Sequence, residues 1–291
     1  QSIHRKMKKI IFLAITLSIA INIQAQNLTD ASLFMRADSS KYLEEVSSET
    51  GDLYRTIGHH GPAVENEWMA LRIYFDHKCA IDAYSKAKSG LELKAARWYP
   101  TPEQQKNGWG ADYYKVGSTV GLGGVRIWDG EKILELDPVT KRTAKVYKTD
   151  NSAVMEMISE GVPVNDKKVD ILVRVTVTNG DRYATVEAEV LSGGPLNLVT
   201  GINYHNGMAV VKDKGMIATW GLHPEDVAAE LVDLGSAIKF NPSDFQQTID
   251  DGKQVVMISK PTTHLTTKII TVNERMPIQN NLWDFVDFLN Q

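Results

Sequence analysis

The sequence predicts an all-β protein, a large antiparallel β-sandwich with few short helices and one helix at the C-terminus. Short stretches of alternating apolar and polar residues recur from Asp52 onward, glycine-bearing turns separate them, and no strand–helix–strand unit repeats. The clearest element is a hairpin of 169–178 and 181–190. Asn179-Gly180 between the two arms supplies the positive φ angles of a tight turn.

Taken in order, the chain starts with a leader. Met7-Lys8-Lys9 precedes an apolar run from Ile10 to Ile21, and Ala25 follows at a signal-peptidase position. Residues 1–25 therefore read as upstream sequence plus a signal peptide beginning at Met7 and cut after Ala25, and 26–291 as a single β-sandwich domain. The apolar run falls short of the ~20 residues of a membrane span, and no cysteine follows it to carry a lipid. The expectation is a periplasmic or secreted protein with no stable membrane anchor.

From Gln26 to about Ser48 the chain is polar, with a short helix expected around Asp30–Met35. A glycine-rich approach leads into a strand and its return around Asp129-Gly130. Further strands are expected at 141–147, 152–160, 169–178, 182–191, 197–204, 207–211 and 216–220. Pro224–Leu231 has proline at a first helical position and acids in the first turn, which predicts a helix. Leu282, Phe285, Val286 and Leu289 form one stripe of a terminal helix that should dock onto the sheet.

The formal charge is −4, and loss of Arg5, Lys6, Lys8 and Lys9 with the leader takes it to −8. An acidic chain of this kind argues against nucleic acid or anionic lipid as partner. Cys79 is the one cysteine, so no intramolecular disulfide forms and the core carries the stability.

Site chemistry is densest between Gly58 and Asp76. Read as one strand, Glu65, Glu67, Met69, Leu71, Ile73 and Phe75 share a face, and Asn66, Trp68, Ala70, Arg72, Tyr74 and Asp76 share the other. The second face is a polar platform suited to a sugar or a carboxylated sugar. Rings stack on pyranose C–H faces while amide and guanidinium groups bind hydroxyls and carboxylates. Gly58, Gly61 and Pro62 put His59 and His60 in a loop. Adjacent histidines on a strand are a poor metal pair, so no cofactor is expected; in a loop, Glu65 could complete a divalent-metal site. Glu65 and Glu67, ~6.5–7 Å apart on one strand face, fall near the ~6.5–9.5 Å separation of an inverting glycosidase. Neighbours on one face seldom flank a sugar bond from both sides.

Asp82, Tyr84 and Lys86 alternate on a second segment. With an odd loop between the segments, Asp82 faces Tyr74 and Tyr84 faces Arg72 on one surface; a two-residue turn puts the clusters on opposite surfaces. Trp98-Tyr99, Trp109 and Tyr113-Tyr114-Lys115 have the aromatic and lysine density of a saccharide-binding loop, and Asn203-Tyr204-His205-Asn206 is a third candidate. Gly121-Leu122-Gly123-Gly124 lacks the helix and lysine of a phosphate loop.

The ordered blocks from His59-His60-Gly61-Pro62-Ala63-Val64-Glu65-Asn66-Glu67-Trp68 through Arg72, then Ile81-Asp82-x-Tyr84-x-Lys86, Trp98-Tyr99, Asp112–Gly117 and Gly121–Gly124 with Trp128 resemble domain-of-unknown-function family 4861. The resemblance covers most of 26–291. It implies a sandwich akin to galactose mutarotases and to the super-sandwich domains of polysaccharide lyases. It also implies a setting among secreted bacterial enzymes that dismantle uronate-rich polysaccharides, with a dehydratase role on uronate-ended oligosaccharides. The leading expectation is β-elimination from a uronate residue of an oligosaccharide substrate. Such chemistry needs a cation or donors on the carboxylate, a base for the C5 proton and an acid at O4. Arg72 with Asn66, or Lys115 or Lys86, would hold the carboxylate. His59 or His60 would be the base, and Tyr74 or Tyr114 the acid or an alternative base. Trp68, Asp82, Tyr84, Trp109 and His205 complete the expected binding set. The alternatives are an aldose epimerase pairing Glu65 with His59 or His60, and a non-catalytic carbohydrate-binding protein relying on Trp68 and Trp109.

Overall fold

The computed structural model describes residues 27–225 and 228–291; the expected leader and its cleavage site lie outside them. Nine antiparallel strands form one layer, in the spatial order Ala209–Asp213, Met216–Leu222, Asp233–Lys239, His264–Asn273, Ala184–Ser192, Lys167–Thr178, Ser152–Val164, Lys141–Lys148 and Glu45–Ser48. Alternation works here as the period of a strand requires. Ile171, Val173, Val175 and Val177 are buried in the core, while Asp170, Arg174, Thr176 and Thr178 stay partly exposed.

The second layer is assembled from two sheets. One runs Thr29–Ser32, Ala63–Asn66, Met69–Ile73, Ile81–Ser85; the other runs Phe245–Asp250, Gln254–Ser259, Asn197–Asn203, Arg126–Trp128, Ile133–Leu134. Residues 120–123 splice them, since Gly121 bridges to Ile81 and Leu122 to Ile202. The Leu122 N–H donates to the Ile81 carbonyl at 2.9 Å and the Gly123 N–H to the Gly201 carbonyl at 2.8 Å. Gly121 has φ +72°, and a Cβ there would lie 2.0 Å from the Ile81 oxygen, so only glycine permits the splice. Between the layers, Val64, Leu71, Ile73, Leu122, Ile202 and Met257 pack into one core with Met155, Met157, Ile171, Val173 and Ile269. Burying that apolar surface is what holds the layers together.

Three expectations are corrected. Asp30–Met35 is not helical: Thr29–Ser32 pairs antiparallel with Ala63–Asn66, and Phe34–Met35 with Asp38–Tyr42. Pairing to a neighbour overrides a weak local preference. Pro224, Glu225 and 228–231 are not helical either, and 226–227 lie outside the described residues. Leu231 stays exposed, so no docked apolar face stabilises so short a helix. The 167–192 hairpin forms, but its last ladder pair is Val177 with Ala184, leaving a loop over 179–183 in place of a two-residue turn. The other layer opens that loop. Asn66 Nδ2 donates to the carbonyls of Thr178 (3.0 Å) and Asp181 (2.8 Å), and the Gly180 N–H donates to Glu67 Oε1 (2.8 Å).

Helices are few. Leu93–Ala96 and Pro102–Lys106 belong to an excursion over the outer face of the second layer, the latter started by a Thr101–Gln104 capping box. Leu282–Leu289 is capped by Asn281 and packs Phe285 and Leu289 against Met216, Ala218, Trp220, Ile270 and Val272, as its stripe predicts.

Candidate functional site

The window from Gly58 to Asp76 is a hairpin, not one strand. The chain reverses at Glu67-Trp68, placing Ala63 opposite Arg72 and Glu65 opposite Ala70. Asn66 locks the reversal: its Oδ1 accepts the N–H groups of Trp68 (3.0 Å) and Met69 (3.2 Å). The faces reassort as a result. Glu65 joins Arg72 on the outer surface, while Asn66 and Trp68 leave the platform assigned to them. Trp68 packs instead under the Arg182 guanidinium, 4.4 Å from its ring centre, beside the Trp220 cluster.

On the return strand Arg72 lies opposite Asp82 and Ala70 opposite Tyr84. Both clusters share one surface, as an odd loop requires, but the pairing is slid by two residues from the one expected. Asp82 meets Arg72 directly. Arg72 donates through Nε (2.8 Å) and Nη2 (2.5 Å) to Asp82 Oδ2, through Nη2 to Asp112 Oδ2 (3.0 Å), and through Nη1 to the His59 carbonyl (3.3 Å) and Tyr99 Oη (3.1 Å). The Trp98 ring lies 4.3 Å from its Cζ. Burial works against the charge, but Asp82 and Asp112 more than offset it and hold the guanidinium well above its ordinary pKa. Tyr74 donates to Asp82 Oδ2 at 2.8 Å, and burial beside that carboxylate keeps its phenol protonated. Arg72 has thus committed its whole fork to protein acceptors. It ties residues 98, 99 and 112 to the sheet.

A second buried polar centre does the same for the rest of the excursion. Lys86 Nζ donates to Glu65 Oε2 (2.5 Å) and to the carbonyls of Asn66 (2.5 Å) and Gly90 (2.7 Å). Glu65 in turn accepts the N–H groups of Glu92 (2.9 Å) and Leu93 (2.8 Å). Tyr84 donates to Glu92 Oε2 at 2.7 Å, which also takes the Gly110 N–H at 2.9 Å. Glu65, Tyr84 and Lys86 are fully or almost fully buried and serve as anchors. Trp109 is partly buried on the same excursion, its N–H bonded to the Gln104 carbonyl at 3.0 Å.

His59 and His60 both adopt left-handed backbone, φ 56° and 59°, a conformation costly for a non-glycine residue. His59 is buried, with Nε2 2.8 Å from Ser32 Oγ and its ring edge-on to Phe34; burial lowers its pKa to about 3. His60 stacks on Tyr54 with ring centres 3.9 Å apart. Its Nδ1 is 2.8 Å from the Tyr54 carbonyl and its Nε2 3.2 Å from Arg36 Nη2; burial lowers its pKa to about 4. Both imidazoles are neutral; His60 is bonded at both nitrogens, whereas His59 Nδ1 is buried without a hydrogen-bond partner among the described residues. Among the described residues no three His, Cys, Asp or Glu side chains are grouped to hold a metal ion, and Glu65 is committed to Lys86.

A third centre gathers Tyr114, Lys115 and His205 with Asn203 and His223. The Lys115 N–H donates to His223 Nδ1 at 3.0 Å, while the Lys115 carbonyl accepts from Asn203 Nδ2 and from His205 Nε2, each at 2.9 Å. Those partners assign the tautomers: His223 carries its proton on Nε2, and His205 carries its lone pair on Nδ1. Burial lowers the His223 pKa to about 3 and pushes the Tyr114 phenol well up. The rings of Tyr114 and His205 lie 4.5 and 4.8 Å from that of His223. His223 Nε2 and Asn203 Oδ1 are buried without a hydrogen-bond partner among the described residues. A cavity of about 370 Å³ opens beside this centre, lined by Val116–Thr119, Tyr204, His205, Asn206 and Lys253. That volume lies within the ~300–1,000 Å³ of small-molecule sites.

Arg72, Tyr74 and Asp82 come together on one surface, and Tyr114, Lys115 and His205 in a separate centre from which His205 reaches the cavity. Sequence reasoning missed His223, which stands alone in its segment, and the parts of Asp112 and Tyr99 in holding Arg72. Only long-range contact reveals those three.

No curated protein matches the chain. Among solved structures, a 4-alpha-glucanotransferase from Thermococcus litoralis is similar at 11% identity over 74% of this chain and 38% of its own, with a TM-score of 0.35. A heparan sulfate lyase HepC mutant from Pedobacter heparinus is similar at 10% identity over 73% of this chain and 34% of its own, with a TM-score of 0.36. The chain thus spans little more than a third of either. A provisionally assigned aldose 1-epimerase from Klebsiella pneumoniae is similar at 6% identity over 84% of this chain and 91% of its own, with a TM-score of 0.38. The model of the family described as domain of unknown function, DUF4861, matches residues 13–289, nearly the whole length, and the chain belongs to that family.

Proposed function

We propose that the protein is a carbohydrate-active enzyme that carries out β-elimination on uronic-acid-containing oligosaccharides in the cavity beside His205. The observation that carries this reading is the His205 tautomer. Its Nε2–H is spent on the Lys115 carbonyl, which leaves the Nδ1 lone pair on an imidazole that lines the cavity. An imidazole that keeps a lone pair open is a side chain suited to removing a carbon-bound proton.

In the proposed step His205 Nδ1 takes the C5 proton, the electron pair forms the C4–C5 double bond, and the C4–O4 bond breaks. The resulting imidazolium returns the proton to O4, which leaves as water or as a glycosyl hydroxyl. Lys253, which lines the cavity, supplies the cation for the uronate carboxylate; Lys86 and Arg72 are buried in bonds of their own. His223 and Tyr114 stand behind His205 as neutral groups and fix its ring. His59, His60 and the Arg72–Asp82–Tyr74 centre are bonded among themselves and their neighbours and take no part in the step. The epimerase alternative loses its glutamate base, since both oxygens of Glu65 are bonded internally.

The test is incubation with uronate-ended oligosaccharides, following ultraviolet absorbance of the unsaturated product and loss of one water or one sugar by mass. The wild type should form that product, and His205→Gln should slow it by roughly 10²-fold or more with substrate affinity retained. No chromophore from any uronate-ended substrate would sink the reaction. Full turnover by His205→Gln would sink the role of that imidazole.

A further inference from the structure

A second cavity lies on the nine-stranded layer, on the side turned away from the other layer. It measures about 560 Å³ and is lined by Lys214, Lys239, Phe240, Pro242, Thr266 and Lys268, among others. Three of its side chains are cations, and no carboxylate lines it, although the chain as a whole is acidic. Lys239 and Lys268 are direct cross-strand partners, each flanked by inward-pointing Ile238 or by Thr267 and Ile269. Like charges set opposite one another destabilise a sheet unless something neutralises them.

Among the described residues no carboxylate pairs with them, and the Tyr183 ring lies 5.4 Å from Lys239 Nζ. Lys239 Nζ donates to the Leu289 carbonyl at 2.7 Å, a neutral acceptor, and the side chains of Lys214 and Lys268 make no ion pair or hydrogen bond among the described residues. Asp213 Oδ1 takes the Lys214 N–H at 2.6 Å, and Glu187, opposite Thr266 on the next strand, lies 3.6 Å from Arg174 and 3.9 Å from His264. A smaller cavity of about 280 Å³ shares Thr266 with it and is lined by Lys260 and His264 together with one carboxylate, Asp244. Phe240 and Pro242 give the larger cavity an apolar wall between the lysines.

We infer that this groove binds an acidic saccharide chain, its carboxylate or sulfate groups on Lys214, Lys239 and Lys268 and its sugar C–H faces against Phe240 and Pro242. The groove would hold polymeric substrate while the His205 cavity acts on a chain end. In that respect the inference rests on the proposed reaction, but binding itself does not depend on it.

The test is affinity electrophoresis and titration calorimetry with polygalacturonate for the carboxylate, heparin for the sulfate and dextran as neutral control. The variant is Lys214→Gln/Lys268→Gln, whose two side chains are unbonded, with an unchanged melting temperature as the check on folding. Wild type should bind at least one polyanion and not dextran, and binding should weaken with salt. The double variant should lose at least about tenfold in affinity, since each charge-assisted contact is worth more than a neutral one. His205→Gln should bind as wild type does. Equal binding of dextran, no binding of either polyanion, or undiminished polyanion affinity in the double variant would overturn the inference. Polyanion binding without any unsaturated product would leave the groove standing and remove only the proposed reaction.

Discussion

Replacing Lys86 by Met separates an anchoring role from a ligand-binding one. The ammonium is wholly buried, and its three N–H groups go to Glu65 Oε2, the Asn66 carbonyl and the Gly90 carbonyl within 2.5–2.7 Å. Methionine fills most of the volume, so little cavity opens. What is lost is the cation that neutralises a buried carboxylate. Breaking a buried pair from one side costs about 3–5 kcal/mol, because the remaining charge has no solvent to turn to. In a chain of this size each kcal/mol moves the melting temperature by roughly 2–4 °C, so the loss should be about 6–20 °C. Urea and thermal denaturation of Lys86→Met beside wild type measure it directly. Lys86→Met/Glu65→Gln should recover part of the loss, since the amide no longer strands a charge and can still accept a bond from Glu92 or Leu93. The pair should show a coupling of about 0.5–3 kcal/mol in the double-mutant cycle. A Lys86→Met protein within about 1 kcal/mol of wild type, with weakened sugar binding, would refute the anchor and restore the residue to the binding set.

Two further predictions bear on the same frame. His59 and His223 are held near pKa 3 by burial, against 6.5 for a free imidazole, so below pH 6.5 the unfolded chain takes up protons that the folded one refuses. Their contribution to stability is complete above pH 6.5 and falls by about 1.4 kcal/mol per pH unit for each as pH drops toward 3. Together they should cost about 4 kcal/mol between pH 7 and pH 5, and an unmoved urea midpoint over that interval would contradict their burial as neutral groups. Gly121→Ala would push a Cβ to 2.0 Å from the Ile81 oxygen at a left-handed φ. It should destabilise by at least about 3 kcal/mol and expose Ile81 and Leu122 amides to hydrogen exchange, and ordinary protection there would show that the two sheets are not joined at this point.

The strands of the nine-stranded layer were readable because each is half-buried, and half-burial writes period two into the sequence: Val169, Ile171, Val173, Val175 and Val177 mark one face without help from any neighbour. The terminal helix was readable for the same reason, its stripe being local. The 58–76 window misled because Met69–Ile73 is buried on both faces, so its residues do not report where the strand begins. A reversal at Glu67-Trp68 has no glycine or proline to announce it, and it is stabilised by an Asn66 side chain that looks like any platform residue. Lys86 and Glu65 carry the residue types of a binding site and are buried as a pair instead. No spacing rule distinguishes those two fates, because burial depends on the Leu93–Trp98 excursion laid over them.

By itself the sequence determined the all-β class, most strand positions in the large sheet, the docking stripe of the last helix and membership in a polar, aromatic surface of Arg72, Tyr74 and Asp82. Only the tertiary structure decided which polar residues are spent on holding the excursion down and which remain turned to a cavity. Side-chain periodicity is a property of one strand, whereas the His205–Lys115–His223 centre joins three segments distant in the chain. A hydrogen bond across such distances fixes a tautomer and frees a lone pair, and nothing local in the sequence encodes it.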